Sequence, residues 1–162
     1  MIVVSNTTPI LSLYKIGKLD LLRSLFGQIT VPMAVYNEIA VAGRGKLGHD
    51  ELDKTDYIHV KEINNVFAAN LLRSQLDYGE AEAIVLAREL AANILLLDEK
   101  KARKVAQISA QPVIGTLGIL HAAKYRGLIP DIKTSLDSLI ANGIWIDRSL
   151  YRTIVQNNNE KM

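Results

Sequence analysis

The sequence predicts an α/β domain of three layers, a sandwich with helices on both faces of a central, mainly parallel sheet. Three observations predict it. Short runs of β-branched or leucine residues alternate with longer segments of helical periodicity. The runs are apolar without alternation, as in strands covered on both faces. Two of them, Ile2–Val4 and Ile94–Leu97, break off into polar residues just before a helical segment. That is the strand-to-helix corner outside which ligands bind in such folds.

The elements follow in order. Ile2–Val4 is the first strand, and Ser5-Asn6-Thr7-Thr8-Pro9 comes next. Thr7 or Thr8 can cap a helix in which Pro9 takes an early position, leaving Asn6 to face the crevice. Leu19 to Phe26 reads as a short helix and Ile29–Val31 as the second strand. Pro32 fits the first position of a helix over Met33–Val41. Gly43 to Asp50 carries three glycines and reads as a mobile loop, a candidate flap. Ile58–Val60 is a weaker strand, suited to a sheet edge. Val66–Arg73 and the alanine-rich Gly79–Ala91 are helical. The strand Ile94–Leu97 precedes a basic helix, Lys100–Ile108. Pro112–Ile114 is a strand, and Leu117–Tyr125 and Ile132–Asn142 are helices ending before glycines. Ile144–Ile146 reads as the last strand. Residues 1–155 are expected to form one domain, and 156–162 a disordered tail.

Composition narrows the chemistry. The 162 residues suffice for a sizeable core. There is no cysteine, which excludes disulfides, thiolate catalysis and cysteine-held zinc or iron–sulfur centres. His49, His59 and His121 lack metal-ligand spacing. A metal here would be held by oxygen, which suits Mg²⁺ or Mn²⁺. No apolar run approaches the ~18 residues of a membrane span. The N-terminus lacks a basic n-region and a cleavage site, so a cytoplasmic location is expected. A net charge of +2 permits a nucleic-acid partner without arguing for one.

The acidic and amide residues have two readings each. Asp98 ends the strand Ile94–Leu97, where it can face a crevice or cap the helix starting near Lys100. Asp77 and Glu80 have the spacing of a capping box. At ~100° per residue, Glu80 shares the apolar arc of Ala83, Leu86, Ala87 and Leu90, and Glu82 falls on the solvent side near Glu89. A carboxylate on the inward face needs a partner. Glu38 lies beside Val35 and Ile39, where taken alone it is more often an exposed helix residue than a ligand. Thr116, in Gly115-Thr116-Leu117-Gly118, can cap a helix or orient a water.

Together these segments resemble the PIN-domain superfamily, closest to a prokaryotic branch of toxin-related nucleases. The carriers are Val4-Ser5-Asn6-Thr7-Thr8-Pro9-Ile10, Ile16-Gly17-Lys18-Leu19-Asp20-Leu21-Leu22 and Val31-Pro32-Met33-Ala34-Val35-Tyr36-Asn37-Glu38. They continue with Leu76-Asp77-Tyr78-Gly79-Glu80-Ala81-Glu82-Ala83-Ile84, Leu96-Leu97-Asp98-Glu99-Lys100-Lys101-Ala102-Arg103 and Gly115-Thr116-Leu117-Gly118. The resemblance covers roughly residues 1–145. It implies a divalent metal, Mg²⁺ or Mn²⁺, held by Glu38, Glu80 or Glu82, and Asp98, with Thr116 as the family's strand-end hydroxyl. The family's first acid falls on Asn6, a departure: an amide oxygen can ligate a hard cation but carries no charge.

The resemblance implies hydrolysis of single-stranded RNA, possible partnership with an antitoxin protein, and a homodimer. A dimer surface is suggested by Ile10, Leu11, Leu13, Tyr14 and Ile16, more apolar residues than one helix face needs. Lys100, Lys101, Arg103 and Lys104 can contact phosphates or form a solvated helix face, and Lys124 and Arg126 form a smaller basic group. Two Phe and one Trp argue against specificity set by base stacking. Two other readings stand beside the ribonuclease. One is a degenerate member that binds RNA or protein without cutting. The other is a phosphatase or phosphoacceptor using Asp98, disfavoured because such designs expect an acid where Asn6 stands.

Overall fold

Five strands form the sheet: β1 (Val3–Ser5), β2 (Ile29–Pro32), β3 (Ile58–Lys61), β4 (Ile94–Leu96) and β5 (Val113–Ile114). They lie in the order β3-β2-β1-β4-β5, every pairing parallel. The computed structural model describes residues 1–43 and 49–161. Ten helices cover the sheet among them: α1 (Thr7–Lys15), α2 (Leu21–Phe26), α3 (Met33–Gly43), α4 (His49–Lys54), α5 (Val66–Leu72), α6 (Tyr78–Glu89), α7 (Lys100–Ile108), α8 (Thr116–Tyr125), α9 (Ile132–Ala141) and α10 (Arg148–Asn157).

Strand side chains alternate between faces, so the sheet feeds two cores. Val3, Ile29, Val31 and Leu96 enter the larger core with Ile10, Val35 and Leu120. Val4, Leu95 and Leu97 enter the second with Leu86, Ala87 and Ala102. This is the three-layer α/β sandwich, and β3 is an edge strand as its weaker pattern suggested. From β1 the chain moves outward to β2 and β3, then returns to lay β4 on the other side of β1. The carboxyl ends of β1 and β4 therefore flank the point where strand order reverses, and a crevice opens there.

Several local expectations need correction. Ile144–Ile146 is not a strand. Gly143, at φ +85°, and Ile144 close α9 instead, with the Ile144 N–H donating to the Leu139 carbonyl. Pro32 does not open α3 but ends β2, paired with Lys61. Neither Thr7 nor Thr8 is the cap of α1: Asn6 holds that position, and Pro9 comes third in the helix. Helix α10 had no counterpart in the sequence reading. The glycine-rich loop reading falls mainly on residues 44–48, outside the described residues; His49 and Asp50 begin α4.

Glu160 accepts from the Ile132 and Lys133 N–H groups at 2.6 and 2.8 Å, capping α9. Lys124 is 3.7 Å from Glu160 and Arg126 bonds the Leu25 carbonyl, so that smaller basic group is structural. Ile10 and Leu13 lie in the core, and Leu11, Tyr14 and Ile16 pack partly buried against it. No described helix is long and apolar enough to cross a membrane.

Candidate functional site

Asn6 follows β1, its backbone N–H tied to the Leu96 carbonyl of β4 at 2.9 Å. The residue is 4% exposed. A cap side chain ordinarily accepts from the second or third helical N–H. The third residue here is Pro9, which has none, and no cap bond forms. The amide Oδ1 is left buried without a hydrogen-bond partner. Asn6 as a residue lines a cleft of about 530 Å³ with Thr7, Thr8, Asn37, Glu38 and Asp77.

Glu38, on α3, is fixed by two donors from different elements. Thr7 Oγ1 donates to Oε2 at 2.5 Å and the Gly79 N–H to Oε1 at 2.8 Å. The carboxylate thus sits on the N-terminus of α6, where the helix dipole favours negative charge. Glycine permits this approach: a Cβ at residue 79 would stand 2.8 Å from the Glu38 Cδ.

Asp98 repeats the device on the other side of β1. Its Oδ1 accepts from the Thr116 N–H and its Oδ2 from Thr116 Oγ1, both at 2.6 Å. A Cβ on Gly115 would stand 2.7 Å from Oδ1 and 3.1 Å from Arg103 Nη1. Asp98 therefore serves the N-terminus of α8, not that of α7, whose cap is Glu99. Thr116 is the first residue of α8 rather than its cap, and its hydroxyl goes to Asp98. The two lie in a smaller cleft of about 210 Å³, which shares Thr8 with the first.

Glu80 and Asp77 complete the capping box, with Glu80 N–H to Asp77 Oδ1 at 2.8 Å and Asp77 N–H to Glu80 Oε2 at 3.1 Å. Glu80 is 8% exposed, as its place on the apolar arc predicted. Burial pushes its carboxyl above the ordinary range, and the negative charges of Asp77, Glu99 and Glu38 add to the rise; only the Asp77 N–H opposes it. Glu82 does not point to solvent. Its Oε2 accepts from the Ala34 N–H at 2.9 Å, at the start of α3, and Glu89 likewise bonds the Asn64 and Asn65 N–H groups.

The sequence-predicted residues thus divide. Asn6 and Glu38 share one cleft, Asp98 and Thr116 share the adjoining one, and Glu82 lines a third with Glu38 and Asn37. Among the described residues no three acidic or histidine side chains stand close enough together to hold one ion.

A family model described as DUF3368, PIN domain, matches residues 2–160. The chain belongs to this PIN-domain family. No curated protein and no solved structure matches it. PIN domains have a nuclease-like fold and generally use divalent metals. In this PIN domain the donors are all oxygen, the chemistry of a hard cation. The orphaned Asn6 Oδ1 offers one ligand that nothing else occupies. Asn6 and Glu38 line one cleft and Asp98 lines the adjoining one, and all three carry the oxygen donors that Mg²⁺ takes.

Sequence reasoning missed Thr7 as the donor that ties Glu38 to α1, and Gly79 and Gly115 as the gaps into which the carboxylates fit. The signal was present in Gly79-Glu80 and Gly115-Thr116: a glycine at a helix start can mark a close approach as well as a turn. Trp145 was also missed, read as part of a buried strand. It is 82% exposed and lines the cleft of Asp98 and Thr116.

Proposed function

We propose that this PIN-domain protein is a metal-dependent ribonuclease that hydrolyses phosphodiester bonds in single-stranded RNA. The observation that carries this is Asn6, with its buried, unpartnered Oδ1, lining one crevice with Glu38 at the strand-order switch point. Asn6, Glu38 and Asp98, with Glu80 or Glu82, are the residues that would hold Mg²⁺ or Mn²⁺. When bound, the ion supplies Lewis acidity, activating water and offsetting charge on the phosphate.

The chain's own residues supply position and proton traffic. The Thr7 hydroxyl and Gly79 N–H keep the Glu38 carboxylate in one orientation, and Thr116 does so for Asp98. Each carboxylate retains lone pairs beyond those bonds. Glu80, raised above the ordinary carboxyl range by burial, is when ionised a stronger base than an exposed glutamate. The proposed setting is cytoplasmic, as a homodimer and the toxin half of a toxin–antitoxin pair.

The test is cleavage of single-stranded RNA with Mg²⁺ or Mn²⁺ and with chelator, for wild type, Asp98→Asn and Glu38→Gln. Wild-type cleavage is expected to vanish in chelator, and each variant to lose about 100-fold or more. Variants matching wild type, or no cleavage over a broad RNA panel, would defeat the reading.

A second reading is a degenerate PIN domain that binds RNA or a protein without cutting. It is favoured by the uncharged Asn6 and by the lack of a three-acid group among the described residues. Asn6→Asp separates the two: metal-dependent cleavage that appears only in the variant marks the native chain as degenerate.

A further inference from the structure

The clefts around the candidate site adjoin through shared lining residues. That of Asn6 and Glu38 shares Thr8 with that of Asp98 and Thr116. The latter shares Ile146 with another of about 350 Å³, where Arg148, Tyr151 and Arg152 stand. Trp145 lies at this junction, its ring largely in water. Its backbone is fixed on both sides. Ile144 and Ile146 pack against the larger core, the Ile144 N–H closes α9, and Asp147 caps α10 through the Leu150 N–H at 3.1 Å. An indole held out from a fixed backbone suits stacking against another flat ring, and little ordering entropy is lost when it does so.

Arg148 and Arg152 are exposed and one helical turn apart, so they share a face of α10. Neither makes an ion pair among the described residues. Asp137, the acid in this cleft, is already taken by Lys133 at 2.7 Å and the Tyr151 hydroxyl at 2.5 Å. A fixed aromatic face followed by free guanidinium groups is the pairing that single strands require, stacking for a base and charge for the backbone.

We infer that single-stranded nucleic acid leaves the candidate site along this track, with one base stacked on Trp145 and the following phosphates at Arg148 and Arg152. The inference rests on the ribonuclease reading for the presence of RNA, and its test reads binding instead of cleavage. The arginine pair favours a polyanion over a second copy of the chain as the occupant.

Trp145 is the only tryptophan, so fluorescence excited selectively in tryptophan reports on this position alone. The full chain, with Mg²⁺, is titrated with a single-stranded RNA of about ten nucleotides, within the usual footprint of such sites. The RNA carries 2′-O-methyl riboses and phosphorothioate linkages to resist cutting, and an abasic strand of equal length is the control. Binding is read independently by anisotropy of an end label. The RNA should quench the fluorescence and the abasic strand should not. Trp145→Ala should weaken RNA binding roughly 5- to 100-fold and leave the abasic strand's affinity unchanged, and Trp145→Tyr should retain most of it. Arg148→Ala with Arg152→Ala should reduce the slope of log affinity against log salt by about 1.4.

RNA that binds without quenching, and as tightly to Trp145→Ala, overturns the inference and leaves the ribonuclease reading standing. No binding by anisotropy removes both. Fluorescence that follows protein concentration instead of RNA assigns Trp145 to a contact between copies, and overturns it too.

Discussion

The Glu38 carboxylate occupies the space that a side chain at Gly79 would fill. Oε1 accepts the Gly79 N–H at 2.8 Å, and a Cβ there would collide with both carboxylate oxygens. One missing carbon atom thus joins α3 to the start of α6 and sets the orientation of the Glu38 carboxylate.

This joint predicts a change of sign. Gly79→Ala should destabilise the protein by about 1–3 kcal/mol, because the displaced carboxylate loses its donors. In a Glu38→Ala background the same change should be neutral or stabilise by up to ~1 kcal/mol, the helix preference of alanine over glycine. Denaturant unfolding of the four proteins measures the coupling. Equal effects of Gly79→Ala in both backgrounds would contradict the geometry.

Asn6→Asp places a charge where a neutral oxygen is buried without a partner. The metal-free variant should lose at least about 2 kcal/mol of stability. Mg²⁺ or Mn²⁺ should restore it, and calorimetric affinity for Mn²⁺ should rise about tenfold or more over wild type. A variant as stable as wild type in chelator would show that Asn6 does not face a negative crevice.

Glu80 gives a pH dependence of definite sign. Its carboxyl lies above its ordinary 4.5 in the fold, so the native state holds the proton more tightly than the unfolded chain. Its contribution is therefore fully present below pH 4.5 and is lost as pH rises through the raised value. Glu80→Gln keeps the capping box and removes the charge. In chelator, wild-type stability minus that of Glu80→Gln should fall as pH rises through this window. A flat difference would mean that burial does not hold the proton.

Thr116 donates twice to Asp98, once from the backbone and once from the hydroxyl. Thr116→Val should cost about 1 kcal/mol and Thr116→Ser much less. If the hydroxyl aims Asp98, cleavage by Thr116→Val should fall more than its stability, with Thr116→Ser restoring both. Unchanged cleavage would leave the hydroxyl a purely structural role.

Glu160 caps α9 from the far end of the chain and lies near Lys124. Glu160→Ala should lower stability by about 0.5–2 kcal/mol. No change in thermal midpoint would show that the tail does not hold α9 in solution.

The sequence by itself determined the layers, because strands covered on both faces must be apolar throughout and helices must bury one stripe. That pattern marked the five strands of the sheet and placed Glu80 on a buried face. It also marked the two corners, Asn6 and Asp98, since polar residues ending an apolar run stand out locally. Tertiary structure alone decided what each carboxylate does. Glu38, Glu82, Glu89, Asp98 and Glu160 all reach N–H groups at the starts of helices from which they are remote in sequence, and no local pattern encodes such a partner. The misread segment Ile144–Ile146 has the same cause. A short apolar run can serve a strand or a helix end, and only the neighbours available in space choose between them.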